Sequence, residues 1–368
     1  MKILWFTWKD ITHPEAGGAE FLGDKIASQL AREGHEVIIL TSRYKDALHK
    51  EKHNGYEIIR VGNRYTVYWQ AFLYYIKHLK GWPDKIIEEI NTIPFMTQWY
   101  AKEKRTLLIY QLCREIWFYQ LPLPFNLIGY LSEPIYLFLL SKNKVITESQ
   151  STKDDLLRYG FKKENIQIFP VCIDIEPLKS LAEKNSYEKF TVLSLGAIRN
   201  MKQTLDQIKA FELARNEIPE LQMKIAGKLI GKYGKQVLNY IENSKYKNDI
   251  EYLGKVSKEK KIELMRRSHV ILVTSVKEGW GLIVTEAGSQ ATPAIVYDVD
   301  GLRDSVTNRE TGIIVKLGKN INQMKEEIMN LYKNKDLLKK LSANTLENSK
   351  KYSLENTLKA FKNVIFEK

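Results

Sequence analysis

The chain has 368 residues, a formal net charge of +13 and 44% apolar residues. That length suggests two domains with room for a core each, and that apolar fraction excludes a disordered chain. Cys113 and Cys172 are the only cysteines. Their separation argues against a disulfide framework or a zinc site and for a reducing, cytoplasmic setting. The opening run Met-Lys-Ile-Leu-Trp-Phe-Thr-Trp is too short for a signal peptide. Residues 1–174 hold 23 Lys and Arg against 20 Asp and Glu, whereas residues 175–368 hold 34 against 24. The excess therefore sits in the second half. It suits anionic partners such as nucleotides or phospholipid, although lysines scattered over a solvated face are the commoner source of such an excess. There is no RNA-binding motif and no basic stripe, so a nucleic-acid partner is not expected.

In chain order, Lys2 to Trp8 reads as an apolar first strand, followed by a polar loop from Lys9 to Gly18. A helix is predicted from Ala19 to about Arg32, with Phe21, Leu22, Ile26 and Leu30 at helical spacing. Glu36 to Thr41 is the second strand. This is a βαβ unit with a glycine pair, Gly17 and Gly18, at the start of its helix. It lacks the G-x-G-x-x-G fingerprint. Residues 55–120 are rich in Tyr, Trp and Phe. Tyr65 to Lys80 reads as a basic-aromatic helix, either packed in the domain or lying on a membrane surface. Leu121 to Leu140 is the most apolar run, but Pro122, Pro124, Glu133 and Pro134 interrupt it. It reads as a buried helix with some interfacial contact, not a membrane span. Lys144 to Thr147 and Ile166 to Val171 are strands, and Ser151 to Asp154 looks like the cap of the helix between them. Residues 174–188 look like a linker.

The alternation then restarts. Phe190 to Leu195 is a strand and Gly196 to Lys202 a loop with two cations, Arg199 and Lys202. Further strands are predicted at 221–226, 250–253, 270–274, 293–297 and 312–315, with helices between and three more at about 320–332, 336–349 and 354–366. The fold class is α/β, with two Rossmann-like doubly wound parallel-sheet domains. The expected boundaries are 1–175 and 188–350, with a C-terminal helix at 351–368 returning to the first domain.

The stretch Glu278-Gly-Trp-Gly-Leu-Ile-Val-Thr-Glu286 organises the second domain. A buried strand leads into it. Gly279 and Gly281 suit a turn that approaches a ligand closely. The N–H groups of Gly281, Leu282 and Ile283, with the positive end of the helix dipole, suit a pyrophosphate. Glu286 lies on an apolar helix and calls for a partner. The helical rise between the glutamates suits gripping two ends of one ligand better than acting as a close glycosidase pair. Asp298-Val-Asp300 resembles a D-x-D metal motif, but no His or Cys accompanies it, and no metal is expected.

These residues resemble the E-x7-E signature of family 4 retaining glycosyltransferases, whose GT-B fold sets two Rossmann-like domains facing across a cleft. The resemblance spans essentially the whole chain. His13-Pro-Glu-Ala-Gly-Gly-Ala-Glu20 looks like that family's glycine loop, and Gly34-His35-Glu36-Val37 like the end of its first helix. Gly301-Leu302 and Gly312 also match segments of its second domain. The resemblance implies that Glu278 holds donor-sugar hydroxyls, Glu286 the ribose and Lys202 the diphosphate. Gly17 and Gly18 would approach the diphosphate from the first domain, and Val256 would contact the base through its backbone. Gly196, Trp280 and the 279–283 turn complete the expected donor site; Glu20, Tyr110 and Arg114 mark the acceptor side. Two departures stand out. Ala197 replaces a common arginine, whose role either passes to Arg199 or is missing. Tyr110 stands where many relatives have a histidine.

The expectation is a retaining, metal-independent glycosyltransferase without a cofactor. It would use a nucleotide-diphosphate sugar and a saccharide or lipid-linked acceptor. It would be cytoplasmic, with peripheral contact at the inner face of the membrane in view. The alternatives are an epimerase or hydrolase of the same fold acting on the nucleotide sugar, or a degenerate transferase kept as a partner subunit.

Overall fold

The computed structural model describes residues 1–318 and 321–367, except for the Gln120 side chain. The chain divides into two compact units, Met1–Cys172 with Ser353–Lys368, and Ile173–Tyr352.

The first unit contains β1 (Lys2–Phe6), α1 (Gly18–Arg32), β2 (Glu36–Ser42), β3 (Lys50–His53), β4 (Tyr56–Val61), α2 (Val67–Tyr74), β5 (Lys85–Ile90), β6 (Lys104–Ile109), α3 (Ile116–Gln120), α4 (Phe125–Leu140), β7 (Lys144–Thr147), α5 (Gln150–Arg158) and β8 (Ile166–Ile168). The strands form one eight-stranded sheet in the order β3-β4-β2-β1-β5-β6-β7-β8. Every pairing is parallel except β3 with β4. The chain runs outward from β1 in both directions, so β1 is the switch point of this sheet, with its following loop at the strands' carboxyl ends.

The second unit contains β9 (Thr191–Leu195), α6 (Thr204–Arg215), β10 (Gln222–Ala226), α7 (Gly231–Glu242), β11 (Ile250–Tyr252), α8 (Lys258–Arg267), β12 (Val270–Val273), α9 (Leu282–Ser289), β13 (Ala294–Tyr297), α10 (Leu302–Ser305), β14 (Gly312–Val315), α11 (Ile321–Lys333) and α12 (Lys335–Ser349). Its six-stranded, all-parallel sheet runs β11-β10-β9-β12-β13-β14, so β9 is the switch strand. Its inner strands β9, β12 and β13, and β14, read as largely apolar runs, as in a parallel sheet covered on both faces, whereas β10 and the edge strand β11 carry polar residues. The last helix, α13 (Leu354–Ile365), belongs to the first unit. Phe361 there is fully buried and stacks on Trp5 with ring centroids 5.7 Å apart.

Several expectations need correction. Strands β4 to β6 fall within the segment read only as aromatic-rich, and β3 just before it was not anticipated either. β3 is a polar edge strand, and β5 carries two buried carboxylates, Glu88 and Glu89, that break its apolar pattern. The Tyr65–Lys80 helix begins at Val67 and widens into a π-helical turn over Tyr75–Leu79. Ser149, not Ser151, caps α5, accepting from the Thr152 N–H at 3.2 Å. Residues 174–188 are no loose linker. The Lys184 ammonium donates to the carbonyls of Arg266 and Ser268 and to Thr292 Oγ1 at 3.1, 3.0 and 2.6 Å, strapping the segment to the second unit. Burial brings that ammonium down to about 7. Helix α4 is not buried all round. Ile135 and Phe138 on its outer face are 64% and 68% exposed.

Candidate active site

In the second unit the site forms around the carboxyl ends of β9, β10, β11 and β12. Gly196, Gly227 and Gly254 follow three adjacent strands, all with positive φ (132°, 156° and 67°). A Cβ on Gly227 would sit 1.8 Å from the Gly196 carbonyl oxygen, so only glycine lets these two backbones cross. Gly227 was missed in the sequence, where it stands alone before a lysine. After β9 the chain turns through Arg199 and Lys202. The 199–203 and 274–278 segments are latched together. Thr274 Oγ1 donates to the Lys202 carbonyl at 2.7 Å, and the Val276 N–H to that of Met201 at 2.9 Å.

This latch brings Lys202 against Glu278. Their ammonium and carboxylate form an ion pair, and Ser275 Oγ donates to the same carboxylate oxygen at 2.6 Å. Burial pushes the Glu278 carboxyl up. The Lys202 charge, the two hydrogen bonds and the nearby Arg199 outweigh it and hold the group below the usual carboxylate range. Arg199 itself is exposed.

The turn from Gly279 ends at Gly281, whose φ of 87° suits glycine just before α9. A Cβ on Gly301 would lie 2.3 Å from the Glu278 carbonyl oxygen, so Gly301 lets the following loop pack on this turn. The Val284 N–H bonds to the Gly281 carbonyl at 2.8 Å. The N–H groups of Leu282 and Ile283 precede it, at the positive end of the helix. Trp280 is buried with its ring 5.3 Å from that of Tyr352, so its side chain serves as a wall. Glu286 is buried on α9 and has the partner its position demanded, Lys261 of α8 at 2.6 Å. Burial raises its pKa, Lys261 opposes that, and nearby Asp174 adds to the rise. Val256 packs half-buried against the core beyond Gly254. Asp298 and Asp300 are held by cations. Arg303 reaches them at 2.8 and 3.0 Å, and Lys277 reaches Asp300 at 2.9 Å. Among the described residues no group of three or more His, Cys, Asp and Glu side chains is placed to hold a metal ion.

In the first unit, the loop after β1 is nailed to the sheet by a pair that sequence reasoning missed. Arg60 of β4 is buried and grips Asp10 through Nε and Nη2, at 2.9 and 3.2 Å. Burial raises the Asp10 carboxyl, but Arg60 and Thr12 bring it below its ordinary value. The loop leads to Gly17 and Gly18, both exposed at the start of α1. A Cβ on Gly17 would make only an ordinary contact, 3.6 Å from Glu20. No internal crowding therefore requires a glycine there. Glu20 accepts from the Gly17 N–H at 2.6 Å and pairs with Lys9 at 3.2 Å.

Tyr110, at the end of β6, is buried and donates weakly to the Ala19 carbonyl at 3.4 Å, which brings it beside Glu20. Its phenol is held well above its usual range by burial, then by Glu89, Glu148 and Glu20. Glu89 of β5 is a further omission of the sequence reading. It accepts from Trp5 Nε1 at 3.1 Å and Asn91 Nδ2 at 2.7 Å. Burial and the neighbouring Glu20 push its carboxyl up to about 8. Arg114 does not join this group. Its guanidinium lies 4.1 Å over the Tyr130 ring and donates to the Tyr130 carbonyl at 3.2 Å, against α4.

Two family models match the chain. "Glycosyltransferase Family 4" matches residues 16–177 and "Glycosyl transferases group 1" matches residues 179–348. The chain belongs to the family 4 glycosyltransferases, with the GT-B fold. A poly(glycerol-phosphate) alpha-glucosyltransferase of Bacillus subtilis is 28% identical over 212 residues, 57% of this chain and 30% of that protein. A D-inositol 3-phosphate glycosyltransferase of Paenarthrobacter aurescens is 24% identical over 182 residues, 47% of this chain and 45% of that one. The matches thus span less than half the length of these curated relatives. Among solved structures, the sucrose-phosphate synthase of Thermosynechococcus elongatus superposes with a TM-score of 0.79 at 18% identity, covering 99% of this chain and 98% of that one. Anabaena HepE in complex with UDP-glucose does so at 0.73 and 15% identity, with both chains fully covered.

Proposed function

We propose that this protein transfers a sugar from a nucleotide-diphosphate donor to a saccharide or lipid-linked acceptor, with retention of anomeric configuration. The observation that carries this reading is the latched Lys202–Glu278 pair beside the amino end of α9. A cation, a carboxylate and helix N–H groups gathered at the switch strand β9 suit a sugar diphosphate. The solved likeness in complex with UDP-glucose makes a uridine donor the first to test.

Lys202, Arg199 and the N–H groups of Gly281 to Ile283 stabilise the charge that develops on the departing diphosphate. Glu278 holds the donor sugar, and Glu286 with Lys261 holds the ribose. Gly17 and Gly18 leave room for the phosphates at the first unit's loop, while Glu20 and Tyr110 lie on the acceptor side. The leaving phosphate acts as the base, so neither a metal nor a cofactor is required. The enzyme works in the cytoplasm, at the inner surface of the membrane.

A panel of nucleotide sugars, read by thermal shift, identifies the donor, because a ligand bound only by the folded state raises the melting temperature. Transfer is then assayed with that donor, and the anomeric configuration of the product is read by NMR. A donor that is hydrolysed or epimerised without any acceptor would replace transfer with the alternative chemistry. No stabilisation by any nucleotide sugar would remove the reading.

A further inference from the structure

The first unit contains an apolar cavity of about 370 Å³ between α4, α3 and the loop after β5. Helix α4 supplies Phe125, Ile128, Gly129, Ser132 and Tyr136, which recur every three or four residues and so share one face. Ile93 and Met96 come from the loop after β5, and Trp117 and Leu121 from α3 and its end. A Cβ on Gly129 would fall 2.4 Å from the Trp117 ring, so this glycine lets the indole lie flat on the helix as a wall. The polar groups nearby are already satisfied. Tyr136 donates to the Thr92 carbonyl at 2.7 Å, and Trp117 Nε1 to Glu133 at 3.1 Å. Nothing in the cavity asks for a polar ligand.

The cavity opens at the seam between the buried and outer faces of α4. Phe125 and Ile128 both line it and stand 60% and 59% exposed. From there the outer face continues through Leu127, Leu131, Ile135, Phe138 and Leu139, all exposed. The one charge on α4, Glu133, points inward to the N–H groups of Cys113 and Arg114, both at 2.6 Å. A helix apolar around most of its circumference needs an apolar partner, and a solvated monomer rarely leaves such a surface bare.

The surroundings identify that partner. At the end of α4, Gln98 Nε2 donates to the Leu139 carbonyl at 3.1 Å, which sets the exposed Trp99 beside it. Tyr100 meets Phe72 of α2 at 5.0 Å, and Phe72 meets the exposed Trp69 at 5.2 Å. Exposed lysines rim the band, Lys77 and Lys80 after α2, Lys102 after Trp99 and Lys142 after α4. Aromatic rings and lysines around an uncharged face suit an anionic bilayer surface. No helix among the described residues is long and apolar enough to cross a membrane.

We propose that the outer face of α4 rests on an anionic bilayer, and that the cavity at its seam takes one hydrocarbon chain from that bilayer. Neither readout below depends on sugar transfer, so failure here leaves the transferase reading standing.

The full-length protein is mixed with vesicles of equal parts phosphatidylglycerol and phosphatidylcholine, and separately titrated with pyrene-labelled hexadecanoic acid without detergent. The wild type should float with the vesicles and bind the probe saturably. Ile135→Ser with Phe138→Ser, which leaves the cavity untouched, should weaken flotation at least tenfold and spare probe binding. Ser132→Trp, which fills the cavity, should weaken probe binding at least tenfold. Ile128→Asp, at the exposed mouth, gives a second route to that loss should the tryptophan prevent folding. A wild type that floats but binds no probe overturns the cavity assignment. One that binds the probe but stays with the soluble fraction overturns the bilayer as its source. Probe binding unchanged in a folded variant of either cavity position overturns the site.

Discussion

Lys202 and Glu278 are 76 positions apart, and the structure pairs them directly, with Ser275 donating to the same carboxylate oxygen. The cation proposed for the diphosphate is thus held in place by the carboxylate proposed for the sugar. A phosphate that binds Lys202 competes with that pair, and a sugar that binds Glu278 relieves it.

Glu278→Gln should therefore lower kcat by roughly 10²-fold, equivalent to ~2.7 kcal/mol, because the sugar contact strengthens where the bond changes. Free nucleoside diphosphate should bind this variant at least as tightly as the wild type, since Lys202 loses its internal counter-ion. Lys202→Met should do the reverse to the nucleotide and weaken it by about tenfold or more, the scale of a lost charge-assisted contact. Calorimetric titration with bare nucleotide, plus turnover, checks both. A Glu278→Gln protein that turns over normally would remove Glu278 from the reaction.

Glu286 is paired with Lys261 and touches no reacting group in the proposed complex. Glu286→Gln should raise KM for the donor and weaken free nucleotide by a similar factor, leaving kcat within a few fold. That pattern marks a contact equal in ground and transition states. If kcat falls instead while nucleotide affinity holds, the roles of the two glutamates are exchanged.

Much of this was legible in the sequence because the second unit is regular. Most of its strands are apolar runs between helices, and the turn at 278–286 carries its own glycines. The pairing of Lys202 with Glu278 was not legible, since it is made by two loops meeting at adjacent strand ends. The missed strand β5 has a physical reason. Glu88 and Glu89 look like surface charges, yet Glu88 accepts from the N–H groups of Met96 and Thr97 at 2.8 and 3.1 Å, and Glu89 from Trp5 and Asn91. Tertiary partners make burial affordable, and no periodicity announces them. Arg60 in β4 is the same case, with Asp10 as the distant partner. Helix α4 misled in the opposite sense. Its apolar run suggested burial, but much of that surface faces outward.

Metal removal separates two ways of stabilising the leaving phosphate. Arg303 and Lys277 already engage Asp298 and Asp300. Transfer should persist in excess chelator, and Asp298→Asn should keep wild-type turnover within about threefold, as expected for a partly exposed ion pair of small energetic weight. Activity that disappears with EDTA and returns with Mn²⁺ or Mg²⁺ would overturn the account built on cations and the helix dipole.

Glu89 supplies a test by pH. Burial, reinforced by Glu20, raises its carboxyl from the ordinary 4.5 to about 8 in the folded protein. Between those values the unfolded chain has released the proton and the folded chain retains it. The folded state then binds more protons, so this group makes stability fall as pH rises from about 4.5 through about 8. Lys184 acts oppositely. Its folded value, lowered to about 7 from 10.5, makes stability rise with pH across that interval. The wild-type profile mixes the two, so the informative quantity is the difference between Glu89→Gln and wild type. A neutral amide cannot ionise. The variant should gain on the wild type steadily from pH 5 to pH 8 and level off beyond, after a constant offset of about 1 kcal/mol for one imperfect hydrogen bond. Urea unfolding of both proteins at intervals across this range, followed through the first unit's tryptophans, measures it. A difference independent of pH would mean that Glu89 is ionised in the fold at neutral pH.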